Sequence, residues 1–366
     1  MNRRQLIMGS GALALTGAAA GAAYATMRDM GSMADYATAI APTRAVLAAD
    51  PELRGLIRYA TLAPNSHNTQ PWRFLAQGGG IAILPDLTRR TPVVDPDDHH
   101  LFVSLGGAAE TLAIAAAARG RAGEIGFSPE NDGAVAVTFG GGRAAEPALF
   151  DAIPRRQSTR ADYDGRPVAA ADLHALAAAA AMPGVDLVLL TDRTAIQRVS
   201  DLVATGNSAQ MANPAFVREL KHWLRFSPRQ AARTGDGLFS AASGSPIAPA
   251  WAGSTLFDLT VHAKAGNDAY ARQLRSSSGV AVFVGDRADP DHWVRVGRAA
   301  QRFALAATAL GLKLAYINQP IEVPSVRPQL AALIGLPGRR PDLVMRFGHG
   351  PAMPYSARRP VADVLA

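Results

Sequence analysis

Two alanine-rich segments with apolar residues at helical spacing dominate the pattern of the chain. Residues 106–120 read GGAAETLAIAAAARG and residues 297–311 read GRAAQRFALAATALG, with eight of fifteen positions identical. Both have a large apolar residue at the same place, Leu112 and Phe303, and both end with a glycine. The pattern predicts two equivalent helices whose small residues allow them to approach closely.

A second, weaker pair of segments predicts a helix followed by a strand in each half. Leu53 to Pro64 and Asp172 to Pro183 are helix-like, and each is followed by an apolar run, Ile81 to Leu84 and Val185 to Leu190 respectively. The repeats therefore predict an α+β fold of two tandem halves. Duplicated halves normally pack around a pseudo-twofold axis, with a site at their interface.

The spacing of these repeats sets the expected boundaries. The first half covers about 40–150 and the second about 151–366. Because the offset between the halves grows from 119 to 191 residues, the second half should carry an insertion of 72 residues, at about 200–276. This segment has a Gly/Ser/Pro-rich middle and scattered aromatic residues, a composition typical of a lid over a site. Trp223 and Phe226 within it either close over a ligand or form helix core.

The first 30 residues have the pattern of a twin-arginine signal peptide. Arg3 and Arg4 precede a glycine-broken apolar stretch, and Ala23 and Ala25 offer small residues at a cleavage site. We therefore expect export to the periplasm; the alternative is an anchor helix that stays attached. Past this leader the chain has no comparable apolar stretch, so we expect no stable membrane span in the mature protein.

Charge and composition narrow the ligand classes. Lysine and arginine number 37 against 30 acidic residues, a net charge of +7, and only three of the 37 are lysines. The arginines are spread along the chain, which disfavours nucleic-acid binding and favours a small anionic ligand. The chain has no cysteine, which excludes disulfides, thiolate nucleophiles and iron–sulfur clusters. Motifs of serine hydrolases, zinc proteases and P-loop proteins do not occur.

Two short segments carry candidate chemistry. Residues 64–72 read PNSHNTQPW, a turn bounded by prolines that offers neutral donors and acceptors to a polar heterocycle. Its alternative is a helix-ending turn with Trp72 in the core. Residues 156–160 read RQSTR, and in an extended chain Arg156, Ser158 and Arg160 would face one way as a phosphate clamp. The alternative is a solvated basic linker.

Together these segments resemble the flavin-dependent nitroreductase family, and within it the fused two-half Acg-like branch. The resemblance covers most of the chain after the leader. It implies an FMN cofactor bound by ten residues: Pro64, Ser66, Asn68, Gln70, Arg156, Ser158, Arg160, Asn318, Arg358 and Arg359. The arginine–serine string and the basic C-terminal segment would hold the FMN phosphate, and the turn would contact the ribityl chain and ring. The resemblance places the segment 315–319 against the flavin, which makes Asn318 a candidate.

Each half lacks one of the two motifs. The first half has the asparagine turn without the arginine string, whereas the second has the string and only Met182-Pro183-Gly184 at the place of the turn. One composite site needs each motif once. We therefore expect one FMN per chain, in a monomer whose two halves replace a dimer.

The expected activity is that of an FMN-dependent oxidoreductase, which transfers hydride or electrons through flavin N5 to a small electron-poor organic substrate. No catalytic side chain is assigned. An exported protein meets no cytoplasmic NAD(P)H, so a quinone or a redox protein is expected to replace it as the electron donor. The alternatives are a protein that stores FMN without turnover and a silent repeat protein that has lost the flavin.

An acidic segment with two histidines, and a histidine in the proline-bounded turn, have two interpretations each. Asp95, Asp97, Asp98, His99 and His100 either bind a metal or, as we favour, cap the repeat helix and face water. His67 either touches the flavin or substrate or is a structural histidine. No metal site is expected.

Overall fold

Two antiparallel four-stranded sheets form the framework of the computed structural model, which describes residues 26–130, 132–140 and 144–366. The strands of the first sheet, in the order β1-β2-β4-β3, are β1 (Trp72–Gln77), β2 (Gly80–Pro85), β3 (Gly123–Ser128) and β4 (Ala134–Phe139). Those of the second, in the order β5-β8-β10-β9, are β5 (Val185–Leu190), β8 (Gly279–Gly285), β9 (Lys313–Tyr316) and β10 (Leu343–Gly348). A short parallel pair, β6 (Leu224–Arg225) and β7 (Leu238–Phe239), lies apart.

When its strands are numbered in chain order within the sheet, each sheet has the order 1-2-4-3, and every neighbouring pair is antiparallel. The order corrects one expected correspondence. Val185–Leu190 occupies the edge position of β1 and not that of Ile81–Leu84, which belongs to β2. The strand β1 begins at Trp72, the last residue of the segment 64–72. Because this segment was interpreted as a turn, the strand was not predicted.

The alanine-rich segments form the two longest central helices. They are α3 (His99–Ala117) and α11 (Pro290–Ala309), and the predicted helices are confirmed. The glycines past their ends, Gly120 and Gly311, have φ of +71° and +76°, a left-handed conformation that glycine adopts at little cost. By composition α3 could cross a membrane, but 94% of it is buried inside the fold.

The two central helices cross at equivalent glycines. A Cβ at Gly106 would lie 2.0 Å from the carbonyl oxygen of Val294, and one at Gly297 would lie 1.9 Å from that of Val103. Gly297 and Val294 stand 191 residues after Gly106 and Val103, so each helix presents the same pair to the other. Such reciprocal contacts are what a twofold axis produces. The predicted close approach is confirmed.

Other helices surround this pair. Those of the N-terminal region and the first half are α1 (Met33–Ile40), α2 (Leu53–Ala60) and α4 (Pro147–Ala152). Those of the second half outside the central pair are α5 (Ala170–Ala180), α12 (Gln319–Glu322) and α13 (Arg327–Leu333).

The 88 residues between β5 and β8 (191–278) separate strands whose counterparts β1 and β2 are joined by a two-residue turn. We call residues 191–278 the insertion segment. It is mainly helical, although its middle has the loop-like composition noted in the sequence, and it includes the predicted segment 200–276. Its helices are α6 (Arg193–Met211), α7 (Pro214–Trp223), α8 (Pro228–Thr234), α9 (Ala250–Thr260) and α10 (Ala263–Arg275).

The C-terminal residues cross back to the first half. Leu365 forms a parallel bridge with Phe74 of β1, and the amide of Ala366 donates to the carbonyl of Phe74. The last residues therefore belong structurally to the first sheet, although they follow the second half in sequence. The predicted leader falls on residues 1–30, of which 1–25 lie outside the described residues.

Candidate functional site

A cavity of about 370 Å³ lies between the two halves, and we call it the main cavity. Its size is typical of small-molecule sites. Both central helices, the proline-bounded turn, the arginine string, the insertion segment and the C-terminal segment contribute to its wall. Eight of the ten predicted site residues line it, namely Pro64, Ser66, Asn68, Arg156, Ser158, Arg160, Asn318 and Arg358.

Gln70 and Arg359, the other two, lie outside the lining, which corrects the expected set. Gln70 is fully buried, donates to the carbonyl of Gly235 (2.8 Å) and accepts from the amide of Arg359 (2.9 Å). Gln70 thus joins the turn to the insertion segment and to the C-terminal segment, and its side-chain amide makes structural hydrogen bonds at both of its polar atoms.

The turn itself has an unusual backbone. His67, Asn68 and Gln70 have φ of 47°, 54° and 54°, a region that costs free energy for residues other than glycine. Side-chain hydrogen bonds hold this conformation. Asn65 Oδ1 accepts from the amide of Gln70 (2.8 Å), and Asn68 Nδ2 donates to the carbonyl of Gly237 (3.0 Å). The turn is therefore pre-formed by its neighbours.

The arginine string runs extended beside β9. Ser158 forms a parallel bridge with Leu314, and the amide of Thr159 donates to the carbonyl of Leu314 (2.7 Å). Arg156, Ser158 and Arg160 line the cavity, as alternation would place them, and Gln157 lines it as well.

Arg156 and Arg160, the two arginines of the expected clamp, both line the main cavity but have different electrostatic neighbours. Four residues of extended chain separate their backbones by about 13 Å. Arg156 interacts electrostatically with Arg44 and Arg358, whereas Arg160 acts on His67 and Tyr270. The partners of Arg156 are thus Arg44 and Arg358, and sequence reasoning missed Arg44.

Arg44, Arg156 and Arg358 form what we call the arginine cluster. Within the described residues, none of the three has a carboxylate oxygen within 4.0 Å of its guanidinium. Arg358 donates instead to carbonyls at the end of α2, among them Thr61 (2.6 Å), and to Asn68 Oδ1 (2.8 Å). The side chain of Arg156 donates to the carbonyl of Leu62 (3.1 Å), and its buried Nε and Nη1 have no hydrogen-bond partner among the described residues.

Burial and mutual repulsion act on these cations. Burial, followed by the charge of Arg156, lowers the pKa of Arg44 to about 9. Burial lowers the pKa of Arg156, and burial together with Arg44 and Arg156 lowers that of Arg358 well below its ordinary value. Buried cations without counterions are costly, so this end of the cavity is suited to an anion.

The opposite end of the main cavity holds a carboxylate–imidazole pair. His100 Nε2 lies 3.4 Å from Glu322 Oε1, and Gln210 Nε2 donates to Glu322 Oε2 (2.6 Å). Burial opposes the charge on both members, yet their hydrogen bond and mutual attraction outweigh it. The pKa of His100 is therefore raised and that of Glu322 lowered. Burial lowers the pKa of His67, beside this pair, to about 4.

The acidic segment before α3 caps the helix, as favoured from the sequence. Asp95 accepts from the amides of His100 (3.0 Å) and Leu101 (3.1 Å). Asp95, His99 and His100 do not face water, however, since all three are buried. His99 is paired with Asp342 at 3.0 Å.

Two insertion-segment aromatics that were candidates for closing over a ligand lie elsewhere. Trp223 is buried beside the guanidiniums of Arg89 and Arg225, and Phe226 packs against Gly253. Phe216 and Leu220 of α7 line the main cavity in their place.

A second cavity lies at the related position on the other side of the central helices. The main cavity is lined by four residues of α3, namely His100, Val103, Ser104 and Gly107, and the second cavity by the four that follow them by 191 residues, Asp291, Val294, Arg295 and Arg298. Pro183, the counterpart of Pro64, also lines the second cavity.

Arginines of the second cavity are paired with carboxylates. Arg295 Nη2 lies 2.6 Å from Asp291, and Arg298 Nε lies 3.0 Å from Glu110. Arg287 Nε lies 3.1 Å from Asp289.

Comparisons with known proteins find similarity to one family. The model of the Nitroreductase family matches residues 153–349. "Putative NAD(P)H nitroreductase Rv3131" of Mycobacterium tuberculosis H37Rv is 29% identical over 326 residues, covering 86% of this chain and 90% of that protein. "Putative NAD(P)H nitroreductase acg" of the same strain is 24% identical, covering 86% and 95%.

Among solved structures, a nitroreductase with bound FMN from Bacteroides fragilis has 18% identity and a TM-score of 0.35, covering 58% of this chain and 94% of that one. The FMN-dependent nitroreductase NfnB from Mycobacterium smegmatis, in complex with NADPH, has 15% identity and a TM-score of 0.37, covering 56% and 88%. Since the family model matches more than half of the residues, the chain belongs to the nitroreductase family.

Proposed function

We propose that this protein is an FMN-dependent oxidoreductase that holds one FMN in the main cavity and transfers hydride or electrons to a small electron-poor organic substrate. One observation carries the proposal. The arginine cluster places three guanidiniums without carboxylate partners, among the residues that the structure describes, at one end of an interface cavity. A phosphate ester supplies the missing negative charge.

The residues present fit FMN. The free Nε and Nη1 of Arg156 offer hydrogen-bond donors to a phosphate, and Arg44 and Arg358 supply further positive charge. Ser66, Ser158 and Asn318 offer polar groups along the cavity to the ribityl chain and ring. When bound, FMN supplies hydride transfer through its N5 atom, and the protein supplies binding and orientation.

The two halves are, in this proposal, copies of one ancestral unit, and the insertion segment is a lid added to the second. The shared strand order and the reciprocal glycine crossing support the duplication. The main cavity then corresponds to a composite site to which each half contributes one motif. The second cavity does not bind FMN, since its arginines already have carboxylate partners.

The direct test is the flavin content of the purified full-length protein. We expect a yellow protein with one FMN per chain, measured by absorbance after release of the flavin and by amino-acid analysis. A ratio near two would contradict the composite site. Colourless protein that binds no added FMN would contradict the proposed function.

Storage of FMN without turnover is the second candidate. The insertion segment supports it, because Asn207, Met211, Phe216 and Leu220 wall the main cavity and restrict access. Mixing the flavoprotein anaerobically with NAD(P)H or a quinol, then with a nitroaromatic or quinone, separates the two. Bleaching and recovery of the flavin absorbance indicate an enzyme, and an unchanged spectrum with every donor indicates storage.

Export through the twin-arginine route to the periplasm, with a quinone or redox protein as electron donor, is also part of the proposal. The N-terminal arginine pair and the apolar stretch after it support this location. Cell fractionation of the full-length protein and of an Arg3→Lys, Arg4→Lys variant tests it. We expect the wild type in the periplasmic fraction and the variant in the cytoplasm.

A further inference from the structure

The end of the main cavity away from the arginine cluster holds ionisable groups that FMN binding does not require. His100 on α3 and Glu322 on α12 line this end together with His67 of the turn. Five charged or titratable groups face His100 from the elements around it: Glu322, Asp95, His99, His67 and Arg340.

Contacts around Glu322 fix the pair in place. One carboxylate oxygen lies 3.4 Å from His100 Nε2, and the other accepts a hydrogen bond of 2.6 Å from Gln210. Gln210 is itself buried and belongs to the insertion segment, so the insertion holds the carboxylate toward the imidazole. His99, the neighbouring histidine, is paired with Asp342 and does not line the cavity.

We propose that His100 is the acid that delivers a proton to the substrate in the main cavity, with Glu322 and Gln210 as positioning residues. The inference rests on the proposed function. It also narrows the substrate class to acceptors whose oxygen takes up a proton on reduction, such as quinones. Phe216 and Leu220 provide an apolar wall that suits a planar ring.

The step balances for a quinone. Conversion to the hydroquinone requires two electrons and two protons, and a hydride from the reduced flavin carries both electrons and one of the protons. An imidazole N–H bond of His100 breaks, its electron pair stays on nitrogen, and an O–H bond forms on the quinone. Water then reprotonates His100, because the carboxylates of Glu322 and Asp95 favour the cation.

The first measurement does not depend on activity. The full-length protein with labelled histidines is titrated by NMR, and the signal of His100 is identified by its loss in His100→Gln. We expect a midpoint above the ordinary value of about 6.5. In Glu322→Gln the midpoint of the His100 titration should fall by about one pH unit or more. The carboxylate that stabilises the charged imidazole against the effect of burial is then absent. A midpoint at or below the ordinary value in the wild type, or no shift in Glu322→Gln, would overturn the inference.

The second measurement compares acceptors. Reduced flavoprotein is mixed with benzoquinone, which needs a proton, or with ferricyanide, which takes electrons alone. We expect His100→Gln to slow quinone reduction at least tenfold at pH 6 and to remove its decline with rising pH, while ferricyanide reduction is unchanged. His99→Gln, the matched control, should keep the wild-type pH profile.

Three outcomes are distinguishable. Equal slowing with both acceptors in His100→Gln would give His100 a structural role and overturn the inference. An unaltered quinone profile in His100→Gln would do the same. A wild-type protein that binds no FMN would contradict the proposed function instead, and the histidine titration would still test the pair.

Discussion

The main cavity and the second cavity occupy related places on the two sides of the central helices, yet they differ in how charge is balanced. Ser104 and Gly107 open the main cavity where Arg295 and Arg298 fill the second. The second cavity pairs its guanidiniums internally, whereas the arginine cluster of the main cavity lacks carboxylates among the described residues. Similar backbones therefore support opposite outcomes, a site suited to an anion and a site already neutralised.

The difference shows how two halves with similar backbones can provide a single anion-binding site. The helix crossing is symmetric because its close contacts are backbone contacts between glycine and valine on both sides. Side chains that face the cavities are free of this constraint, and they differ between the two cavities. Whether a cavity binds an anion depends on whether its arginines already have partners.

The symmetric crossing gives the largest expected effect. Gly106→Ala and Gly297→Ala each place a methyl group about 2 Å from a backbone carbonyl that the helix holds in position. We expect each substitution to reduce the free energy of unfolding by about 3 kcal/mol or more, and by similar amounts. Urea unfolding measures both. Gly126→Ala, where a Cβ meets nothing within 4 Å, is the control. Markedly unequal losses at the two glycines would contradict the symmetry.

The next largest expected effect is on the affinity for FMN. Arg156→Ala removes buried donors from the arginine cluster, and one charged hydrogen bond contributes about 1.5–3 kcal/mol. We expect the Kd for FMN to rise about 10- to 150-fold, measured by quenching of flavin fluorescence. Arg295→Ala in the second cavity should leave the Kd unchanged. Equal losses of affinity in both variants would end the distinction between the cavities.

Sequence patterns predicted the features that are local or repeated. The glycine-bounded helices, their close approach and the one-sided alternation of Arg156, Ser158 and Arg160 follow from spacing along a single segment. Periodicity captures these because neighbours in sequence determine them.

Contacts between distant segments were not predictable in this way. Arg44 ends a short helical turn at the start of the first half, and nothing in the sequence around it marks it as a partner of Arg156 and Arg358. His100 and Glu322 come from different halves, so no motif contains both. The helices of the insertion segment were not predicted. The glycine- and proline-rich composition that drew attention is confined to residues 235–249.

Substitution of Gln70 tests whether this predicted site residue has a structural role. Gln70→Ala leaves the carbonyl of Gly235 and the amide of Arg359 without their partner, and a buried unsatisfied group costs about 1–3 kcal/mol. We expect lower stability in urea and a smaller change in the Kd for FMN than in Arg156→Ala. The exposed Gln197, which donates to Asp201, provides the control Gln197→Ala. A loss of FMN affinity without a loss of stability would return Gln70 to the binding site.

The smallest expected effect concerns His67, an imidazole that the corresponding turn of the second half, Met182-Pro183-Gly184, lacks. Burial lowers the pKa of His67 to about 4, below its value of about 6.5 in an unfolded chain. Between these values the unfolded state binds more protons, so the folded protein loses stability as the pH falls from about 6.5 toward 4. His67→Gln should reduce this loss, while His99, whose pKa is also lowered, maintains part of it. Urea unfolding at pH 7 and pH 5 measures the difference, with the exposed His174→Gln as control. If His67→Gln loses as much stability between the two pH values as the wild type does, His67 is not held neutral by its burial in the turn.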